Sequence, residues 1–483
     1  MRRKTIGNLA SALAIAATSG GLAWAQASEP IRTQQPTLPP RNSLLFYGGG
    51  TRAQSMGGAF LGISDDGTAA TWNPAGLTQN DRIYAVIDWG VAQQEVTNHL
   101  EASEDLSSLY DNTSSQSAAQ FNFLAFNGPL TLKGQRFHLA ATWNRASFVN
   151  YQSESVVTDV STVPFPVPPG VVVEGFSTYG TSSGGPEYAT LAMATQIKEE
   201  KLSIGFGLNI YTGSQDDSAR SIIDAVQDPV NVSVIADSID NQDYSGVNFN
   251  VGALFQASHF SVGLNVRTPF KLESQHDARN ALSTYERTSD SVLLITTNSV
   301  LLDYRSQIGM PLQVGLGFAF RPQENLILAA DYEFKGFSST KLYSQADQFD
   351  PKSDLVESDP EFNDVHQVRL GMEFQIGVGW GVIPVRAGFR TEPLPYSHWV
   401  DVNEALGTGT QVSATKGDQV VGEVYALGTG LQWRQVRFDL GWELSTVTQY
   451  ASGYFSNSFL APQFIASREN HVQRLTLGFT GYF

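Results

Sequence analysis

Residues 46–77 read FYGGGTRAQSMGGAFLGISDDGTAATWNPAGL, and this stretch decides the architecture. Glycine and alanine dominate it, so its backbone can lie close to a surrounding surface. Asp65-Asp66-Gly67 is a turn signal. Pro74 restricts Asn73 to extended conformations, which leaves the Asn73 amide free to hydrogen-bond to a neighbouring surface. A segment of this kind suits a plug that fills a lumen and has no hydrophobic core of its own.

The residues before this stretch predict export. Arg2, Arg3 and Lys4 precede an apolar run, and Ala23-Trp24-Ala25 is an A-x-A cleavage signal. We therefore interpret residues 1–25 as a signal peptide, whose removal would change the net charge from −17 to −20. Residues 26–45 contain four prolines and predict an extended leader.

Composition narrows the class of protein further. The 483 residues are only 16% charged and include 44 glycines and no cysteine. This composition suits strands and tight turns, and the lack of cysteine excludes disulfides, thiolate metal sites and cysteine catalysis. The net negative charge would repel a polyanion, so we expect no nucleic-acid partner.

From residue 81 onward, apolar residues occupy every second position over segments of about ten residues, which is typical of amphipathic strands. A soluble β-sandwich would give the same alternation, so the lengths of the connections must distinguish a sandwich from a barrel. They alternate between long and short, as do the extracellular loops and periplasmic turns of outer-membrane barrels, whose strand number is even. The segments are near 81–97, 117–129, 135–150, 186–199, 201–213, 243–258, 259–274, 304–321, 325–338, 362–378, 382–392, 418–434, 435–450 and 470–483.

The sequence therefore predicts an all-β fold. Residues 81–483 would form a 14-stranded antiparallel transmembrane β-barrel, and residues 46–80 would form an N-terminal hatch, or plug, inside its lumen.

Charges of both signs recur on the strand face opposite the lipid. Interior charge is tolerated because the lumen is polar, and opposite charges on neighbouring strands can pair across the wall. Two interpretations remain open: a structural ladder that fills the bore and anchors the plug, or a substrate path that selects by charge. The predicted lumen charge ladder comprises Asp331, Glu333, Arg369, Glu373, Arg386, Arg390, Arg437, Asp439 and Glu443.

Several short motifs, taken in order, carry a family resemblance. They are Arg52-Ala53 followed by Met56-Gly57-Gly58-Ala59, the pair Asp65-Asp66, Trp72-Asn73-Pro74-Ala75-Gly76-Leu77, and the later segments 266–272, 330–333 and 384–388. With these motifs the chain resembles the FadL/TodX-type outer-membrane transporters of long-chain fatty acids and hydrophobic compounds.

The resemblance implies a fourteen-stranded barrel with a hatch on its periplasmic side. It also implies that ligand enters between the long loops and leaves sideways through a gap beside a kinked strand. The hatch motif maps onto Asp65, Asp66, Asn73, Pro74 and Ala75, for which turn and packing roles are the alternative.

The expected function is passive uptake of hydrophobic small molecules such as long-chain fatty acids, with capture at extracellular loops and release past the hatch. The N-terminal motif also resembles PorV-type barrels, so a shuttle or scaffold in protein secretion is the alternative. The spacing of the seven histidines supports no catalytic or metal site, and we expect no enzyme activity and no cofactor. The expected partners are the hydrophobic ligand, outer-membrane lipid and lipopolysaccharide, around a monomer in the outer membrane of a Gram-negative bacterium.

Overall fold

The computed structural model describes residues 48–102, 110–146, 149–157, 172–198, 201–227, 230–287, 292–404, 413–455 and 463–483. The predicted signal peptide (1–25) and leader (26–45) lie outside the described residues.

Within these ranges, fourteen antiparallel strands form one closed barrel. Closure comes from a ladder between β1 and β14, which runs from Tyr84 opposite Tyr482 to Ala102 opposite Phe464. The strands are β1 Tyr84–Ala102, β2 Tyr110–Leu132, β3 Gln135–Arg145 and Val149–Val157, β4 Val172–Gly184 and Glu187–Lys198, β5 Leu202–Thr212 and Ser214–Gln227, β6 Val230–Gln256, β7 Phe260–Arg267 and Phe270–Arg287, β8 Val292–Met310 and Gln313–Gln323, β9 Leu326–Lys335, β10 Val365–Val378, β11 Gly381–Glu404, β12 Ser413–Trp433, β13 Val436–Phe455 and β14 Gln463–Tyr482.

Five strands (β3, β4, β5, β7 and β8) are interrupted at a proline, at a glycine, or at Ala146. Pro269 and Pro311 cannot donate a ladder hydrogen bond, and Gly213 has a φ of 113°, which favours glycine. The interruptions divide the wall into a lower section, which ends in the short turns, and an upper section. A small hairpin, Leu342–Gln345 and Leu355–Ser358, extends the upper section after β9.

The outer surface of the lower section is apolar. Large side chains point away from the lumen and are unusually exposed, including Trp89 (53%), Phe126 (59%) and Leu477 (53%). Soluble proteins rarely expose an apolar band of this size, whereas the lipid-facing belt of an outer-membrane barrel is such a band. The protein is accordingly an outer-membrane β-barrel.

The predicted number of strands is confirmed, but several strands extend further on the long-loop side than predicted. Residues 214–242 and 275–303 fall between the predicted strands and are therefore predicted loops, yet β5 continues to Gln227, β6 begins at Val230, and β7 continues to Arg287. The reason is that outward positions become polar where lipid ends, as in Ser214–Gln227 (SQDDSARSIIDAVQ). The apolar periodicity therefore stops at the lipid boundary, whereas the backbone ladder does not.

Residues 48–80, called the inner segment below, lie inside the lower section of the barrel and are mostly buried. They contain α1 (Thr51–Ser55), α2 (Ala69–Trp72) and a 3₁₀ helix (Pro74–Gln79), and a second 3₁₀ helix, Phe337–Ser339, follows β9. No helix in the described part of the chain is long and apolar enough to cross a membrane.

Glycines in the wall allow the inner segment to touch strands on all sides. A Cβ atom at Gly388 would lie 2.0 Å from the backbone nitrogen of Gly57, and one at Gly263 would lie 2.0 Å from the carbonyl oxygen of Leu61. Since real Cβ atoms do not approach that closely, the contact is backbone to backbone and depends on glycine. Equivalent backbone contacts join Pro74 to Gly205, Gly62 to Gly317 and Met56 to Gly371, whereas the side chains of Ser55 and Thr51 pack against Gly441 and Gly478.

Candidate functional site

A closed ring of charges joins the inner segment to the wall. Arg52, at the start of α1, is 6% exposed, and its Nε and Nη2 atoms lie 2.8 and 3.1 Å from the Glu373 carboxylate of β10. Such bidentate pairs are strong and directional. The Nη1 atom of Arg52 turns to the other side, where it contacts Asp65 and lies 3.4 Å from Asp66.

The ring continues through two further strands. The Arg386 guanidinium lies 2.6 Å from Glu373 and 2.8 Å from Asp439, and Arg437 lies 2.8 Å from Asp439. Arg437 then returns to the inner segment, 3.1 Å from Asp66. Three arginines therefore alternate with three carboxylates, so that each buried charge is neutralised from two sides.

Asp66, which lies on the inner segment and not on a spanning strand, is held ionised. Burial by itself would raise the pKa of its carboxyl, but Arg437 and Arg52, with hydrogen bonds from Thr68, lower the pKa to about 2. Because the pKa is lower in the folded protein, the ionised Asp66 carboxylate stabilises the fold at pH values above the unfolded-state pKa of about 4. This stabilisation is lost as the pH falls through about 2. The ring therefore keeps this charge in mildly acidic surroundings.

Two further wall carboxylates bind backbone N–H groups of the inner segment. Asp331 of β9 accepts hydrogen bonds from Phe60 and Leu61 at 2.7 and 2.8 Å, and Asp88 of β1 accepts one from Thr51 at 2.9 Å. These contacts satisfy donors that would otherwise be buried without partners.

The predicted hatch motif is divided between two places. Asp65 and Asp66 lie at the charged ring, whereas Asn73, Pro74 and Ala75 pack against β5 and β6. The Asn73 side-chain amide donates to the Leu61 carbonyl at 3.1 Å and to the Ala253 carbonyl at 3.0 Å. It also accepts a hydrogen bond from the Ala75 backbone nitrogen.

The nine predicted ladder residues all point into the lumen, but they form separate groups. Glu373, Arg386, Arg437 and Asp439 belong to the ring, and Asp331 binds the inner segment backbone. The remaining four form two pairs higher in the barrel, Arg390 with Glu443 at 2.6 Å and Arg369 with Glu333.

A cationic floor, defined as Arg267, Lys335 and Arg369, surrounds Glu333 above the inner segment. The Lys335 Nζ atom lies 3.6 Å from the Glu333 carboxylate. Arg267 hydrogen-bonds the hydroxyls of Tyr188 and Tyr211 and donates to the Thr71 carbonyl of the inner segment at 3.0 Å.

An apolar cluster lies directly over this floor. Tyr188 and Tyr211 belong to both, since their rings join the cluster while their hydroxyls meet Arg267. The cluster thus crosses the lumen between the charged floor and the upper section. Its buried members are Ala146, Tyr188, Tyr211, Leu272, Met310, Phe337 and Val365, with Tyr244, Phe270, Ile308, Phe362 and Leu394 packed around them.

The wall has a seam between β2 and β3. The ladder that joins them ends at Phe123 opposite Asn144. Above this point β2 continues in a ladder with β1, and the second half of β3 pairs with β4. Side chains cover the seam, where the Phe121 and Trp143 rings stack with centroids 5.2 Å apart. Ala146 of the apolar cluster follows immediately.

Sequence reasoning did not select Arg52, Arg267 or Lys335 as site residues. Arg52 was visible as a lone cation in a small-residue segment, and Lys335 shares the inward face of β9 with Asp331 and Glu333. That two-residue spacing could have identified Lys335. Arg267 lies in the motif segment 266–272 and on the inward face of β7, but its partners lie on other strands and on the inner segment, so the sequence does not show what it contacts.

The closed barrel and its enclosed segment define a class of protein, the outer-membrane β-barrels with the FadL fold. The structure is similar to that of a Pseudomonas aeruginosa FadL homologue (13% identity, TM-score 0.58, covering 91% of this chain and 99% of that one). It is also similar to the Pseudomonas putida toluene transporter TodX (12% identity, TM-score 0.55, covering 91% and 99%). The predicted resemblance is thereby confirmed at the level of the fold.

Residues 46–392 match the BamG family, and the chain belongs to this family. No curated protein matches the sequence.

We predict that breaking the ring destabilises the barrel. The Arg52→Met substitution leaves Glu373 and Asp66 short of a partner, and loss of one member of a buried ion pair costs about 3–5 kcal/mol. Arg136 pairs with Asp81 at 2.9 Å on the exposed rim, so Arg136→Met should cost less than about 1 kcal/mol. Thermal unfolding in detergent, followed by circular dichroism, compares the two variants. Equal midpoints would contradict a stabilising ring.

Proposed function

We propose that the protein carries hydrophobic small molecules across the outer membrane by passive diffusion. The observation that carries the proposal is the apolar cluster, which crosses the lumen and reaches the seam at Ala146. A hydrophobic molecule gains free energy when it leaves water for such surroundings. Movement through the barrel then needs neither nucleotide energy nor a cofactor.

The ligand has a long apolar chain and an acid group, as a long-chain fatty acid does. Support comes from the cationic floor, where Arg267, Lys335 and Arg369 share the carboxylate of Glu333. The floor therefore carries excess positive charge directly beneath an apolar cluster. A carboxylate head placed there would pair with a cation, while its chain would lie among the apolar side chains.

In this proposal the inner segment is the hatch that closes the periplasmic side. Ligand is captured at the extracellular loops, settles over the cationic floor and leaves beside the hatch through the seam. Arg267 links the floor to the hatch, because it holds the Thr71 carbonyl two residues before Asn73. A ligand that draws Arg267 away would free this carbonyl and permit a local shift at Asn73–Ala75.

We predict that closing the seam blocks uptake. Phe121→Cys and Trp143→Cys place thiols on either side of it in a chain without other cysteines, and a reductant-cleavable bis-maleimide would join them. Uptake of radiolabelled oleate by cells should fall to the level without the protein and return after reduction.

The matched control is Val91→Cys with Ala119→Cys, a directly opposed pair in the continuous β1–β2 ladder. This crosslink should leave uptake unchanged. If crosslinking the seam also leaves uptake unchanged, the seam is not the exit.

We predict that Lys335→Met lowers the uptake of acidic ligands but not that of neutral ligands. The substitution leaves an unbranched side chain that is one heavy atom shorter and removes a cation from the floor, so oleate uptake should fall at least about ten-fold, equivalent to about 1.4 kcal/mol. Uptake of a neutral hydrocarbon should change little, and Lys133→Met in the exposed β2–β3 turn should affect neither. Equal losses for oleate and hydrocarbon would contradict recognition of the acid group.

A second function, a PorV-like scaffold in protein secretion, is favoured by the tight anchoring of the inner segment. The charged ring and the backbone contacts at Gly263 and Gly388 suit a plug that never moves. Unchanged uptake across a ligand panel with and without the protein, together with co-purification of a secretion partner, would support this function over transport.

A further inference from the structure

Three polar side chains from adjacent strands meet in the upper section of the barrel. They are Asp240 of β6, His276 of β7 and Ser306 of β8. All three are on inward positions, because Ser306 stands opposite Ser274 in the β7–β8 ladder and Asp240 stands opposite Ala278 in the β6–β7 ladder. Ser274, His276 and Ala278 are buried on one face of β7.

Their hydrogen bonds follow the order of a nucleophile, a base and an orienting acid. The His276 Nδ1 atom lies 2.9 Å from an Asp240 carboxylate oxygen, and the Nε2 atom lies 2.8 Å from the Ser306 hydroxyl. Nδ1–H therefore donates to Asp240 and leaves Nε2 to accept the serine proton. This is the arrangement by which Ser-His-Asp sites activate serine.

The imidazole is held in place, whereas the serine is accessible. The His276 ring is 1% exposed and stacks on Tyr304, with ring centroids 4.3 Å apart and an angle of 5° between the planes. Ser306 is only half-buried and faces the lumen. A preorganised base beside a reachable hydroxyl is what nucleophilic catalysis requires.

The surroundings of Ser306 suit an apolar acyl chain. Ile308 and Leu272 form the next inward pair of the ladder below Ser306 and Ser274, and Met310 follows. These three side chains belong to or border the apolar cluster. The Ser274 hydroxyl, directly opposite Ser306, is buried and can donate to an oxyanion that forms there.

We propose that Ser306, His276 and Asp240 form a hydrolytic site for esters of hydrophobic carboxylic acids. Ser306 Oγ attacks the ester carbonyl carbon while its proton passes to His276 Nε2, which then protonates the leaving alcohol as the C–O bond breaks. Water attacks the acyl-serine and gives a proton to His276, which returns it to Ser306 Oγ as that bond breaks. The products are an alcohol and a carboxylic acid, and Asp240 acts as a positioning residue.

The sequence did not reveal this site, because its members lie 36 and 30 residues apart. Gly180–Gly184 (GTSSG) does match the G-x-S-x-G pattern of serine hydrolases. However, Ser182 is buried within strand β4 and not on the strand-to-helix turn that exposes such a nucleophile. Ser182 contacts Gln215 and supplies a matched control.

The test uses the full-length protein in an ester-free detergent, so it does not depend on transport. A fluorophosphonate probe should label Ser306, as located by mass spectrometry, and p-nitrophenyl octanoate should be hydrolysed. Ser306→Ala should abolish both signals, and Asp240→Asn should lower kcat at least about 100-fold with a smaller effect on KM. Ser182→Ala should remain within about two-fold of the unsubstituted protein.

Heat-modifiable mobility on gels confirms that each variant forms the barrel. Absence of probe from Ser306 in the folded protein, together with hydrolysis that Ser306→Ala does not reduce, would overturn the proposal. Probe labelling and ester hydrolysis are both measured in micelles, so a failure of the proposed transport function would not change them.

Discussion

The structure depends on a ring of buried ion pairs, which ties a glycine-rich segment to the wall and fixes its position inside the barrel. Arg52 and Asp66 come from the inner segment, and the other members come from β10, β11 and β13. Removing charges from water is costly unless each is paired. The alternating ring meets this requirement and, since its partners are fixed on the wall, sets the position of the segment.

Close packing also holds the inner segment in place. Wall glycines such as Gly263 and Gly388 let the backbone of the inner segment contact the backbone of the wall. Asp331 and Asp88 accept hydrogen bonds from its N–H groups. The lower section is filled with polar and small groups and, contrary to the expectation of a plug without a hydrophobic core, with the buried apolar side chains of Met56, Phe60, Ile63 and Trp72. The apolar cluster lies above it, and the seam between β2 and β3 begins at that level, where the β2–β3 ladder ends. The proposed route for a hydrophobic molecule follows from this order of layers.

Features with a local signature could be predicted from the sequence. Alternation with a period of two and regular connections together predicted the fourteen strands, and the same alternation put Asp331, Arg369 and Glu443 on the inner face. The upper parts of β5, β6 and β7 were missed because their outward residues are polar.

Features that depend on long-range pairing could not be predicted. Arg52 and Glu373 are 321 residues apart, and their contact exists only because the barrel closes. The cationic floor around Glu333 and the contact between Asp240, His276 and Ser306 likewise combine side chains from separate strands. Alternation tells which face a residue occupies, but register and closure decide its neighbours.

The most direct measurement of the central claim is a disulfide trap between the inner segment and the wall. A Cβ atom at Gly441 would lie 2.7 Å from the Ser55 hydroxyl oxygen, so Ser55→Cys with Gly441→Cys should form a disulfide spontaneously in the folded protein. Mass spectrometry of peptides from the oxidised variant should then find residues 55 and 441 joined in nearly all molecules. If both thiols instead stay free and react with a membrane-impermeant maleimide, the inner segment does not lie where the charged ring places it.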